Sequence, residues 1–145
     1  AHWNRMYGPR GFLQHQCVVP PEHAEAVVAE MLDRIAASGM GSFLTVLKRF
    51  GPGNQGMLSF PTGGWTLAID VAATYHRLAD LLRQFDRLVL DAGGRHYLAK
   101  DCHMSAEAVR RGYPRLDEWR AVRDRVDPTG VFASDMSRRL GLTGP

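Results

Sequence analysis

The order of apolar segments along the chain constrains its fold more than any other feature. An apolar run from Phe12 to Val19 ends at two prolines and predicts a strand. The next segment begins at Pro21, repeats apolar residues at helical spacing and ends at Gly39, which predicts a helix. Two more strand-like runs follow, Ser42 to Phe50 and Trp65 to Val71, and a loop rich in glycine and proline separates them.

A helix-like segment and a strand-like run then follow for a second time. A long amphipathic segment from Ala73 to Ala92 predicts a second helix, and Arg95 to Ala99 predicts a short fourth strand. The order strand, helix, strand, strand, helix, strand is typical of the ferredoxin-like fold. We therefore predict an α+β protein whose antiparallel sheet carries both helices on one face. The opposite face would then be available for a ligand or a partner.

The remainder of the chain is helical and more polar. Ser105 stands where a helix N-cap would be, and a second helix is predicted from Pro114 to Arg125. Its apolar stripe consists of Leu116, Trp119, Val122 and Val126. We divide the chain into a domain of residues 1–99 and a C-terminal helical segment of residues 100–145.

Composition excludes several classes of function. The net charge is +3, and the basic residues between Arg110 and Arg125 alternate with acidic ones, which predicts a solvated helix face and no nucleic-acid partner. No apolar run reaches the roughly 18 residues of a membrane span, and the N-terminus lacks the form of a signal peptide. Cys17 and Cys102 are too few for a disulfide scaffold and are expected to be reduced thiols. The six histidines show no metal-ligand spacing, so we predict no metal site.

Lysine is scarce, since only Lys48 and Lys100 accompany sixteen arginines. Each lies beside strand-forming residues, where an ammonium group can bind an anion or offset charge on a reduced cofactor. The alternative is a surface lysine at the end of a strand. Gln14 and Gln16 share one strand face, where two amides could bind sugar hydroxyls or remain solvated. Tyr97 could stack on a flat ring or serve only in packing.

Alternation along the second strand separates its side chains into two sets. One face carries Phe43, Thr45, Leu47 and Arg49, and the other carries Leu44, Val46, Lys48 and Phe50. Residues alone give no complete catalytic set, so they do not name a reaction.

Six separated motifs resemble one family. They are Phe12 to Pro20, Leu47 to Gln55, Leu58 to Pro61 with Gly64-Trp65, Gly93 to Asp101, Tyr113 to Trp119 and Val126 to Leu140. Together they are similar to the C-terminal part of the decaprenylphosphoryl-β-D-ribose 2′-oxidase family. These flavoproteins belong to the vanillyl-alcohol-oxidase-like class and are related to aldonolactone oxidases.

The resemblance implies an enzyme that binds FAD noncovalently in an N-terminal domain. It would oxidise the 2′-hydroxyl of a polyprenyl-phosphoryl ribose and give the hydride to the flavin. Residues 1–99 would be the substrate-binding domain that covers the flavin, and residues 100–145 would pack on the FAD domain. An epimerase partner would then reduce the ketone to the arabinose sugar of cell-wall arabinan.

The resemblance also assigns roles to residues. Lys100 would be catalytic and lie next to the flavin, and Tyr97 would contact FAD. The substrate pocket would be lined by Gln14, Gln16, Leu44, Val46, Lys48, Phe50, Thr66 and Ala68. Two of these depart from the best-known mycobacterial members, because Ala68 stands where they carry a cysteine and Thr66 where they carry an asparagine. Those members' thiol is the target of covalent inhibitors, so we expect this protein to lack that target.

The family's FAD-phosphate-binding half would precede the residues present here. We therefore expect this chain by itself to bind FAD weakly or not at all, to show no turnover, and to self-associate through apolar surface that the FAD domain would cover. A lipid-linked substrate implies a cytoplasmic or peripherally membrane-associated protein. Two alternatives stay open: an aldonolactone- or polyol-type flavin oxidase, and a ferredoxin-like binding module without chemistry.

Overall fold

The computed structural model describes residues 5–6, 8–100 and 103–143. Its sheet has four strands in the order β2-β3-β1-β4, and every neighbouring pair is antiparallel. The strands are β1 (Phe12–Val19), β2 (Ser42–Phe50), β3 (Gly64–Ala72) and β4 (Arg95–His96). This topology confirms the predicted ferredoxin-like α+β fold. Asp101 and Cys102 lie outside the described residues.

Two helices, α1 (Pro21–Ser38) and α2 (Leu78–Asp91), pack on one face of this sheet. Proline at the first position of α1 requires no N–H donor there, and Gly39 ends the helix with a φ of 71° that suits glycine. The core between helices and sheet is apolar and consists mainly of Cys17, Val19, Val27, Val28, Met31, Leu67, Ile69, Val71, Leu81, Leu82, Phe85 and Val89.

Helix α2 begins five residues later than predicted. The N–H of Ala73 donates to the carbonyl of Gly11 at 3.1 Å, which prolongs the extended chain beyond β3. A turn follows, in which the Tyr75 hydroxyl donates to the carbonyl of Ser38 at 2.8 Å. These contacts with distant residues hold 73–77 out of the helix although their composition permits it.

Strand β4 is shorter than predicted, because it ends at His96 instead of Ala99. Residues Leu98–Lys100 form a 3₁₀ turn, in which the N–H of Lys100 donates to the carbonyl of Tyr97 at 3.0 Å. Leu, Ala and Lys are good helix formers, so the chain turns as soon as its pairing with β1 ends. Tyr97 and Lys100 therefore lie beside the sheet edge and not within a strand.

Three short helices follow, α3 (Ala106–Gly112), α4 (Leu116–Val126) and α5 (Asp135–Arg139). The predicted cap is present, since the Ser105 hydroxyl accepts from the N–H of Ala108 at 3.1 Å. A second apolar cluster joins this segment to the edge of the sheet and consists of Met104, Ala108, Val109, Tyr113, Leu116 and Leu140. The buried Tyr113 hydroxyl donates to the carbonyl of His96 at 2.6 Å and so ties the segment to β4.

The apolar stripe of α4 is only partly covered. Leu116 is buried, whereas Val122 is 38% exposed and Val126 is 77% exposed. In the part of the chain described here, no helix has both the length and the apolar character needed to cross a membrane. The division into residues 1–99 and 100–145 stays a prediction.

Candidate functional site

The sheet face that points away from α1 and α2 collects most of the predicted site residues. Cys17, Leu67 and Ile69 point into the helix-covered core, so their neighbours along each strand point the other way. Residues directly opposite each other on paired strands share a face. The register sets one row of Gln16, Ala68 and Val46 and a second row of Val18, Thr66 and Lys48.

Polar side chains in these two rows contact each other. The Gln16 amide nitrogen donates to the Thr66 hydroxyl oxygen at 3.1 Å, which orients the amide across the centre of the face. Lys48 is exposed on the edge strand, opposite Thr66, and Gln14 lies on the same face opposite the buried Asp70. This part of the face therefore carries an amide that is held by a buried hydroxyl and lies near an exposed cation.

The face is less open than the sequence suggests. Thr66 and Val18 are buried, with 1% and 0% exposure, although both point away from the helices. Phe60, from the loop of residues 51–63, is also buried and lies on this side of the molecule. Its ring stacks on the Tyr97 ring with centroids 4.5 Å apart and meets the Phe50 ring edge-on at 5.8 Å. Sequence reasoning missed Phe60, whose signal is an aromatic residue within a loop rich in glycine and proline.

Tyr97 and Lys100 lie at the opposite edge of the sheet from Lys48. The N–H of Tyr97 donates to the carbonyl of Gln16 at 2.9 Å, so Tyr97 is fixed directly beside the central row. Gln16, Tyr97 and Lys100 line one small cavity of about 10 Å³. Lys100 is exposed and Tyr97 half-buried, which leaves a cation and an aromatic ring at the surface next to the polar face.

Leu44 is the predicted lining residue that the strand register does not group with the others. Ser42 pairs with Val71 and Thr45 with Ile69, so β2 has one extra residue between them. The predicted alternation of side chains between the two faces holds from Thr45 to Phe50, but it is interrupted between Ser42 and Thr45. Leu44 lies within this irregularity and is 41% exposed.

A cluster that sequence reasoning did not predict lies next to this edge. His15 on β1, Asp86 on α2 and His96 on β4 approach one another, and His103 joins them. All four line the same cavity as Lys100. Their separation along the chain hides the cluster from any reading of local spacing.

Tyr97 and Lys100 remain the predicted contacts of a flavin. An aromatic ring can contact the isoalloxazine system, and a surface ammonium can stabilise negative charge on it. The loop of residues 51–63 folds back on itself, since a Cβ on Gly53 would lie 2.8 Å from the carbonyl oxygen of Pro61.

The chain is similar in sequence to known proteins along nearly its whole length. The chain is 51% identical over 144 residues to decaprenylphosphoryl-beta-D-ribose oxidase of Mycolicibacterium smegmatis, covering 98% of this chain and 30% of that protein. It is 41% identical to an uncharacterized protein in the mprA 5′ region of Streptomyces coelicolor, over 91% of this chain and 36% of the relative. It is 27% identical to L-gulono-1,4-lactone dehydrogenase of Mycobacterium tuberculosis, over 89% of this chain and 30% of that protein.

The chain thus spans about a third of the length of the curated relatives it matches. The family described as D-arabinono-1,4-lactone oxidase matches residues 9–140, which include the whole sheet, both core helices and the C-terminal helices. This family consists of flavin-linked oxidoreductases that act on sugar-like CH–OH groups. Because the match covers most of its length, this chain belongs to the D-arabinono-1,4-lactone oxidase family.

Proposed function

We propose that the protein containing this chain is an FAD-dependent oxidoreductase that oxidises the 2′-hydroxyl of a polyprenyl-phosphoryl ribose. The observation that carries the proposal is the grouping of Gln16, Thr66 and Lys48 on one sheet face with Tyr97 and Lys100 at its edge. A relative that is 51% identical to this chain is named decaprenylphosphoryl-beta-D-ribose oxidase.

The polar face suits a sugar phosphate. The Gln16 amide already bonds to Thr66 at 3.1 Å, so it is held in place and keeps hydrogen-bonding capacity for a sugar hydroxyl. The exposed ammonium of Lys48 offers three donors and a positive charge, which suits a phosphate or a sugar oxygen. Ala68 lies between Gln16 and Val46 and leaves space for the sugar ring above the sheet.

Lys100 would act beside the reacting oxygen and the hydride acceptor, where negative charge develops during the oxidation. FAD, when bound, would supply the acceptor for the hydride of the sugar carbon, and the hydroxyl proton would pass to water. The exposed ammonium of Lys100 beside Tyr97 would bind the reacting oxygen and stabilise negative charge on the acceptor. Tyr97 is held by its backbone bond to Gln16 and by its stack on Phe60, so its ring can set the position of the cofactor edge.

An aldonolactone- or polyol-type oxidase is the second candidate. It is favoured by the family description and by the 27% identity to a gulonolactone dehydrogenase. A neutral lactone carries no phosphate, so it would not need the Lys48 cation. This difference in charge gives a direct test of the two candidates.

The test compares a polyprenyl-phosphoryl pentose with free aldonolactones as substrates of the full-length protein. We expect turnover of the phosphorylated sugar, with a KM that rises at least tenfold in Lys48→Ala, roughly the value of one charge-assisted bond. Arg49→Ala is the matched control, since Arg49 is the next residue on the same strand, is exposed and points to the other face. Turnover of lactones alone, with Lys48→Ala unaffected, would support the second candidate instead.

The proposal extends to partners and location. The ketone product needs a reductase, and we propose an epimerase partner that reduces it to the arabinose sugar for cell-wall arabinan. A lipid-linked substrate would place the protein against a membrane surface, in peripheral association. We also propose that the isolated chain binds FAD weakly or not at all.

A further inference from the structure

Four polar side chains from different elements meet inside the protein, next to the candidate site. His15 on β1 and His96 on β4 are buried, with 3% and 4% exposure, and Asp86 on α2 reaches them from the helix layer. One ligand atom from each of the three lies within 4.8 Å of the other two. Buried polar groups cost free energy unless they are paired, and a metal ion is a partner that can pair several of them at once.

Two distances between side-chain atoms show how close together the members of the cluster lie. Asp86 Oδ1 lies 3.1 Å from His96 Nε2 and 3.5 Å from His103 Nε2. Tetrahedral zinc, with bonds of about 2.0 to 2.1 Å, separates neighbouring ligand atoms by about 3.4 Å. These two pairs are therefore spaced as zinc ligands would be, and zinc would draw the His15 and His103 rings in around the same point.

His15 supplies the observation that points to a cation. Its Nε2 is fully buried, and no hydrogen-bond partner for it is found among the described residues. A neutral imidazole with a buried, unused ring nitrogen is the form in which histidine binds a metal.

The space at the cluster fits a bare ion. The cavity that these residues line measures about 10 Å³, which is the size of a single water molecule or a dehydrated ion. Nitrogen and carboxylate donors suit Zn²⁺, whereas Mg²⁺ and Ca²⁺ prefer all-oxygen shells with several waters.

We propose that His15, Asp86, His96 and His103 form a structural zinc site that joins helix α2 to strands β1 and β4. The proposal differs from the expectation drawn from the spacing of the histidines. Zinc at this position would tie the sheet edge to the segment that leads from Lys100 into the C-terminal helices. It does not depend on the proposed oxidase function.

The test measures zinc bound to the full-length protein after chelation, zinc reconstitution and removal of excess metal. We expect the unsubstituted protein to retain one equivalent more than either His15→Phe or Asp86→Asn. His23→Ala is the matched control, since His23 is exposed on α1, and it should retain the full amount. Equal zinc in the unsubstituted protein and in folded His15→Phe overturns the proposal.

A second measurement tests for the zinc site even if the variants fail to fold. Co²⁺ replaces Zn²⁺ in tetrahedral sites and then absorbs visible light strongly, whereas octahedral Co²⁺ absorbs only faintly. We expect the strong spectrum in the unsubstituted protein, and we expect Zn²⁺ but not Mg²⁺ to abolish it by competition. A faint spectrum, or one that Mg²⁺ removes equally well, overturns the proposal and leaves a water molecule as the occupant of the cavity.

Discussion

At the scale of single residues, Cys17 illustrates how burial decides chemistry. It is fully buried in the helix-covered core, and burial raises the pKa of its thiol to about 12. The reactive thiolate is therefore scarce at any ordinary pH. In a Cys102→Ser background, we expect no reaction with Ellman's reagent at about pH 8 in the native protein and one equivalent after unfolding. Rapid labelling of the native protein would contradict this assignment.

Tyr113 has a buried hydroxyl that stabilises the fold. It is 1% exposed, and it donates to the carbonyl of His96 at 2.6 Å. Tyr113→Phe leaves that buried carbonyl without this donor, and we expect the free energy of unfolding to fall by about 1 to 2 kcal/mol. Denaturant titration measures the change. Tyr75→Phe is the matched control with a smaller expected loss, because Tyr75 is only half-buried and bonds to the end of a helix.

Residue patterns predicted some site positions well and others not at all. The alternation of β2 predicted that Val46 and Lys48 share a face, because strand geometry from Thr45 onwards depends only on local spacing. The bulge before Thr45 depends on the partner strand, so the position of Leu44 could not be predicted in the same way. The cluster around His15 also depends on tertiary packing, since its members are distant in sequence.

At the scale of elements, the positions of proline and glycine predicted the bounds of β1 and α1, because these residues restrict or free the backbone at their own position. The start of α2 was wrong because hydrogen bonds to distant residues hold 73–77 out of the helix. The end of β4 was wrong because Leu98–Lys100 form a 3₁₀ turn. The C-terminal segment was predicted as helical, yet the exposure of Val122 and Val126 could not be read from an amphipathic pattern alone.

The end of α4 is held by one carboxylate, that of Asp127. It accepts from the N–H groups of Val131 and Phe132 at 2.9 and 2.8 Å. These bonds, with a smaller contribution from Arg123, lower the pKa of Asp127. The pKa of the Asp127 carboxyl is therefore lower in the folded protein than in the unfolded chain. Its ionised form stabilises the fold at any pH above the pKa of the unfolded chain, and this stabilisation is lost as the pH falls through the pKa of the folded protein.

We therefore expect Asp127→Asn to lower the free energy of unfolding at neutral pH, with a difference that narrows as the solution is acidified. Urea titrations at a series of pH values measure it. Asp124→Asn is the control, because that side chain is exposed and pairs only with Arg123 at 2.9 Å. A difference that is the same at every pH would show that the charge of Asp127 is not what holds this turn.

At the scale of the whole molecule, apolar side chains remain uncovered at the C-terminal end. Val126, Val131 and Phe132 are 77%, 74% and 82% exposed. Such a patch is typical of an interface, and it agrees with the expectation that this segment packs on another domain. We expect the isolated chain to self-associate, with a weight-average mass that rises with concentration in sedimentation experiments.

Substitution of the patch tests this expectation. Phe132→Ser should reduce the association constant of the isolated chain several-fold, since it removes the most exposed aromatic side chain of the patch. Phe43→Ser is the control, because Phe43 is 59% exposed on the edge strand, outside this patch. A chain that stays monomeric at all concentrations, or a control that weakens association equally, would assign the patch another role.

The central claim is that Lys100, at the edge of the polar sheet face, serves a flavin-linked oxidation of a polyprenyl-phosphoryl ribose. The most direct measurement is anaerobic addition of that substrate to the full-length protein while flavin absorbance is followed. We predict that the flavin band bleaches, and that Lys100→Ala slows bleaching at least about 100-fold while the protein still binds FAD. A band that does not bleach with this substrate, or that bleaches equally fast in Lys100→Ala, would contradict the account.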